Sequence, residues 1–146
     1  MSSENIQRVR LVHPVHPLAA KALQALTESG YEDKPGMCQK FQRQVVAAVY
    51  GNRFERYRTG TAHGSALRWR KSQYALPGGT WGQVGDIYYW YEDSGQPNGH
   101  TAIRILGNRV AENSVVHGDA NSGGRGTRKL GQIQKPDLII RLPWEL

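Results

Sequence analysis

The sequence predicts an α+β fold in which N-terminal helices pack on a C-terminal antiparallel β-sheet, and three observations carry that expectation. Apolar residues recur at helical spacing in the first half, as Leu18, Ala22, Leu23 and Leu26 and then as Phe41, Val45, Val46 and Val49. After Ser72 strand formers take over, most densely in Ile87-Tyr88-Tyr89-Trp90-Tyr91. The dipeptide Gly107-Asn108 joins two alternating runs, as a tight hairpin requires. Helices first and a meander second keep the two kinds of element in separate layers.

Taken in order, residues 1–14 read as an arm with a short apolar contact through Val9, Leu11 and Val12. A helix follows from Pro17 to Ser29, with proline in its first turn and Gly30 to close it. Pro35-Gly36 marks a turn, and a second helix runs from Met37 to Tyr50, stopped by Gly51-Asn52. A third, shorter helix is predicted from Ala62 to Lys71, weakened by Gly64. Pro77-Gly78-Gly79 and Gly82 break any helix before the strand at Ile87. Strands are then predicted over Thr101–Leu106, Arg109–Val116 and Leu138–Leu142, with Gly118–Gly126 as a glycine-rich loop. That loop has neither the strand-loop-helix setting nor the Lys-Ser or Lys-Thr ending of a phosphate cradle.

A chain of 146 residues makes one domain with a single core. Its one cysteine excludes a disulfide framework and a thiolate-cluster zinc site. The first residues lack the apolar stretch of a signal peptide, and no later run approaches the roughly 20 apolar residues of a membrane span. The expectation is synthesis in the cytoplasm without a signal peptide. A formal charge of +7 and a pI near 9.8 point to a polyanionic partner, for which nucleic acid, anionic lipid and cell wall all qualify. Arg53, Arg56, Arg58, Arg68, Arg70 and Lys71 are interleaved with Phe54, Tyr57 and Trp69. Such a cluster either binds single-stranded nucleic acid by stacking or is a solvated basic face with its aromatics in the core. The sequence favours the second, because no zinc-finger spacing, RNP-like strand or basic heptad accompanies it.

Cys38 stands where the second helix begins, so its thiol feels the positive end of the macrodipole, which favours thiolate. Lone cysteines are ordinarily inert buried residues, and here the surroundings argue otherwise. The matching base is His100, behind Gly99 at the head of Thr101-Ala102-Ile103-Arg104-Ile105. A third polar group on the neighbouring strand is offered by Glu112 and Asn113, of which alternation lets only one share the histidine's face. A two-residue Gly107-Asn108 turn pairs Ala102 with Asn113 and selects Asn113. A three-residue loop, Leu106–Asn108, pairs Ala102 with Glu112 and selects Glu112. The dipeptide favours the shorter turn.

The chemistry these residues can build is acyl transfer, with Cys38 attacking an amide carbonyl and His100 protonating the departing amine. The Cys38 backbone N–H would meet the oxyanion. Tyr31, a short loop before the thiol, and Trp81, between Gly79 and Gly82, are the candidate substrate contacts. No cofactor is called for. His13, His16, His63 and His117 are scattered, and proline splits His13-Pro14-Val15-His16, so no two-histidine helical metal face forms.

The ordered motifs Gly36-x-Cys38-x-x-Phe41-x-Arg43, Gly85-Asp86-Ile87-Tyr88-Tyr89-Trp90, Gly99-His100-Thr101-Ala102-Ile103 and Ala111-Glu112-Asn113 resemble the papain-like cell-wall cysteine peptidases of the NlpC and CHAP groups. The resemblance covers residues 30–142 and implies a papain-like fold that hydrolyses amide bonds in peptidoglycan stem peptides. It makes Cys38 the nucleophile and His100 the base, and by spacing ranks Glu112 ahead of Asn113 as the third member. Met37 and Gln39 replace the polar Asp-Cys-Ser frame often seen around such a cysteine, and Asp86 is expected to tie the sheet. A basic enzyme without a signal peptide suits a phage lysin, an effector with a delivery or immunity partner, or a cytoplasmic amidase. The competing readings are a non-enzymatic basic binding module for nucleic acid or cell wall, and an acyltransferase on the same fold.

Overall fold

The computed structural model describes residues 14–92, 98–114 and 124–145. The arm residues 1–13, including His13, and residues 115–123, including His117 and most of the predicted glycine-rich loop, lie outside the described residues.

His16 opens helix α1 (Pro17–Ala25): its Nδ1 accepts from the Leu18 N–H at 3.0 Å, which leaves Nε2 protonated to donate to the Leu142 carbonyl at 2.9 Å. The helix stops short of the predicted Ser29 because Arg125 draws the Ala25 and Glu28 carbonyls onto its guanidinium. Helix α2 (Cys38–Tyr50) follows the expected stripe, burying Phe41, Val45 and Val46, and ends at Gly51 with φ 64°. Helix α3 (Ala62–Trp69) starts at Thr61, whose hydroxyl accepts from the Gly64 N–H.

Six strands make one antiparallel sheet: β1 (Ala75–Pro77), β2 (Ile87–Trp90), β3 (His100–Ile105), β4 (Arg109–Ser114), β5 (Gly124–Lys129) and β6 (Leu138–Ile140), in the spatial order β1-β6-β2-β3-β4-β5. Alternation divides the side chains between two faces. Ile87, Tyr89, Ile103, Ile105, Ala111 and Ile140 pack under the helices. Tyr88, Trp90, Ala102, Val110, Leu130 and Ile139 form a second cluster on the far face.

Two expectations are corrected. The β3–β4 hairpin does not close on a two-residue turn. Ile105 pairs with Arg109 and Ile103 with Ala111, so the loop is the three residues Leu106–Asn108. Gly107 and Asn108 both take positive φ, 78° and 54°, and Asn108 is held by Arg104 at 3.1 Å and by the Leu130 N–H at 2.9 Å. Residues Gly124–Gly126, read as loop, belong instead to β5, which pairs along all of β4. Its glycines and arginines carry no apolar alternation, because this edge strand is fixed by ladder bonds and ion pairs.

Asp86 ties the sheet as expected. Buried at the foot of β2, it accepts two bonds from Arg141 at 2.9 Å each and one from the Gln83 N–H at 2.7 Å. Asp86→Ala should therefore lower the unfolding free energy by about 2 kcal/mol, the scale of a hydrogen-bonded charge left unpaired. Denaturant titration checks this, and a change below about 0.5 kcal/mol would mean the pair adds nothing net.

Candidate active site

Cys38 is the first residue of α2, and Met37 before it occupies the N-cap position without a side-chain cap. In this first turn the Gln39 N–H bonds the Cys38 sulfur. The approach to the helix is fixed from the sheet. Asn113 accepts from the Met37 N–H at 3.2 Å through Oδ1 and donates to the Glu32 carbonyl at 2.8 Å through Nδ2. Asn113 thus lies on the helix face of β4 and clamps the loop that delivers the thiol.

His100 opens β3 opposite Trp90, with the two rings 5.5 Å apart. Gly99 lets the chain enter there: its φ is 72°, and a Cβ would stand 2.9 Å from both the His63 nitrogen and the Trp90 carbonyl. The imidazole Nε2 lies 2.6 Å from Glu112 Oε1, which leaves Nδ1 for the thiol. Glu112 is completely buried, and Arg128 of β5 grips it from behind, with Nη2 donating to Oε1 at 2.9 Å and Nε donating to Oε2. Glu112 and Asn113 therefore serve opposite faces of one strand. The three-residue turn puts Glu112 on the imidazole's side.

The electrostatics follow from these contacts. Burial pushes the Cys38 thiol up, but the hydrogen bond and charge of His100, with backbone bonds from Thr101 and Gln39, outweigh it and leave the thiol below its ordinary 9.0. Burial pushes His100 down, yet Cys38 and Glu112 together raise it from 6.5 to about 9. Burial would raise Glu112, and His100 and Arg128 hold it below its ordinary 4.5. All three directions favour the ionised form of the set, a thiolate against an imidazolium, backed by a carboxylate and a guanidinium. Such a thiolate is a ready nucleophile, and the imidazolium is a positioned acid.

The thiol and imidazole open into a cavity of about 690 Å³. It is lined by the start of α2, by residues 60–62 at the entry to α3, by residues 98–100 at the entry to β3 and by Asn113 and Ser114 of β4. Tyr31 is not on this wall; it packs edge-on against Phe41 with ring centroids 6.4 Å apart. Trp81 is not there either, because it sits against Tyr88 in the far-face cluster, where its carbonyl accepts from Arg104 at 3.0 Å. Sequence reasoning missed Arg128, which lies just beyond the stretch read as a glycine-rich loop and before the last predicted strand, where no element was assigned.

The basic cluster turns its rings inward. Phe54 and Trp69 are buried, and Tyr57 stacks on Trp69 at 3.9 Å, so these aromatics offer no platform for bases. His16 is spent on capping, and His63 stands edge-on to Tyr91 at 5.8 Å. Among the described residues no three His, Cys, Asp or Glu side chains converge as metal ligands, and no helix is long and apolar enough to cross a membrane.

No protein-family model matches the chain, and no curated protein sequence matches it. Its fold is similar to the crystal structure of the NlpC/p60 domain of the peptidoglycan hydrolase SagA, with a TM-score of 0.52 and 17% sequence identity over 86% of this chain and 97% of that one. The helices at one end of the chain, the six-stranded antiparallel sheet and this likeness establish an α+β, papain-like fold of the NlpC/p60 type.

Proposed function

We propose that this protein is a cysteine peptidase or amidase that hydrolyses amide bonds in the stem peptides of bacterial peptidoglycan. The observation that carries the reading is the hydrogen-bonded chain Cys38–His100–Glu112, open on one side to a cavity. In the scheme, the Cys38 thiolate adds to the amide carbon, and the oxyanion is met by backbone N–H groups of the α2 start. His100 gives its Nδ1 proton to the nitrogen, the C–N bond breaks, and the amine leaves. Water then adds to the thioester carbon, passing a proton to His100, and the C–S bond breaks to release the acid. Glu112 holds the imidazole orientation and favours its charged form throughout.

The peptidoglycan assignment is supported by the fold's likeness to a peptidoglycan hydrolase domain and by the +7 charge, which favours approach to an anionic wall. Action on the wall follows release or delivery of the protein to it. Digestion of purified peptidoglycan with mass analysis of the fragments tests the reading. Active protein should release fragments that have each gained one water, and protein pre-treated with iodoacetamide should release none. Cleavage that survives complete alkylation of Cys38 would overturn it.

A further inference from the structure

The far-face cluster of the sheet reaches the chemistry at one point. Trp90 and His100 are cross-strand partners at the end of β2 and the start of β3, so their side chains rise from the same face. Their ring centroids stand 5.5 Å apart, with the planes 31° from parallel. The indole is buried and fixed on its other sides. Its Nε1 donates to the Gln134 carbonyl at 2.9 Å, and Tyr88 packs edge-on with centroids 5.9 Å apart. Gly99 keeps the two strands close here, since a Cβ would stand 2.9 Å from the Trp90 carbonyl.

His100 is itself buried, and burial alone favours its neutral form. Charged groups meet the ring from α2 through Cys38 and from β4 through Glu112, with Arg128 of β5 behind the carboxylate. His63 of α3 is turned to Tyr91, and Asp137 is held by the Tyr91 and Glu92 N–H groups past the end of β2. Trp90 adds no formal charge. An indole nonetheless carries negative charge density on its face, and a cation within about 6 Å of the ring centre is attracted to it, most strongly where water is excluded.

We propose that Trp90 is a positioning residue of this site: its indole face holds the His100 ring and supports the positive charge of the imidazolium, and so extends upward in pH the range over which thiolate and imidazolium coexist. The inference rests on the hydrolase reading above for the use made of that ion pair, while the contact itself is measured without turnover. It gives the strand motif Gly85–Trp90 a part in the chemistry at one end, where Asp86 at the other end ties the sheet.

The test replaces Trp90 site-specifically by a tryptophan difluorinated on its six-membered ring, which keeps the shape and the Nε1–H and weakens the negative face. The His100 ring-proton shifts, assigned against the spectrum of His100→Ala, should give a titration midpoint lower than wild type by about 0.5 pH unit, the scale of a weakened cation–π contact. Trp90→Phe, which keeps a smaller face, should lower it as well. The thiol's own midpoint, read by iodoacetamide alkylation against pH, should stay in place, because the imidazolium is charged both before and after the thiol ionises. A site that had merely loosened would break the Cys38 contact and raise the thiol midpoint together with the fall at His100. That joint change in the fluorinated protein, or an unmoved His100 midpoint, would overturn the proposal. If neither protein cleaves peptidoglycan, the hydrolase reading fails while the two midpoints still decide the role of Trp90.

Discussion

Glu112→Gln is expected to lower the unfolding free energy at pH 6 by about 3–5 kcal/mol, the range for breaking a buried ion pair from one side. The substitution keeps volume, so packing is not the cause. It removes a charge that Arg128 and His100 share at hydrogen-bond distance, and it turns an amide N–H₂ toward groups that are themselves donors. The pH dependence carries a sign. Glu112 is lowered from 4.5 in the folded state, so its contribution is present above pH 4.5 and lost as pH falls through its folded value. His100 is raised from 6.5 to about 9, so its contribution is complete below pH 6.5 and lost as pH rises through about 9. The stability difference between wild type and Glu112→Gln should therefore be widest between pH 4.5 and 6.5 and shrink on both sides. Reactivity should move with it. Without the carboxylate, His100 loses its proton at lower pH and the partly buried Cys38 thiol rises back toward its ordinary value, so iodoacetamide alkylation at pH 7 should slow by about 10-fold or more. Superimposable pH–alkylation profiles for the two proteins would remove Glu112 from the thiol's control.

Cys38→Ala should leave the fold within about 1 kcal/mol of wild type, since it deletes one partly buried sulfur at the margin of the core. On the proposed mechanism, peptidoglycan cleavage should fall by about 10³-fold or more, because the nucleophile of a unit that acts together has no substitute. The variant also separates the two supports of the imidazole. Cys38 and Glu112 both raise His100, so removing the thiolate should lower its titration midpoint below about 9, visible in the ring-proton chemical shift. Turnover within tenfold of wild type would show that Cys38 is not the nucleophile.

Where sequence spoke clearly, one local cause was sufficient. The stripe Phe41, Val45, Val46 fixed α2 and its face, and with them the position of Cys38 at a helix start. Ile87–Trp90 was legible because every residue is buried and each favours a strand. Non-local causes were hidden. The hairpin register depends on Asn108 being held by Arg104 and Leu130, contacts that a dipeptide rule does not contain. β5 exists because β4 offers it a ladder and Asp33, Glu112 and the α1 carbonyls take its arginines, none of which is written in Gly124-Arg125-Gly126-Thr127-Arg128. Tyr31 and Trp81 are near the chemistry in sequence or composition only, and packing against Phe41 and Tyr88 decides where they stand.

The β3–β4 turn lies at the opposite end of its strands from the thiol, yet its length sets what the thiol meets. Because Glu112 and Asn113 are neighbours on one strand, a one-residue slip of β4 past β3 takes both away from the groups they now meet: in one direction Asn113 moves into the place opposite Ala102, and in the other Glu112 moves into the place opposite Thr101. One remote loop thus acts as a length gauge for two jobs at once, the electrostatics of the imidazole and the placement of the thiol. Selection on such a loop would reject changes of length, and the sheet would transmit the defect as a fixed half-step rather than as a gradual distortion.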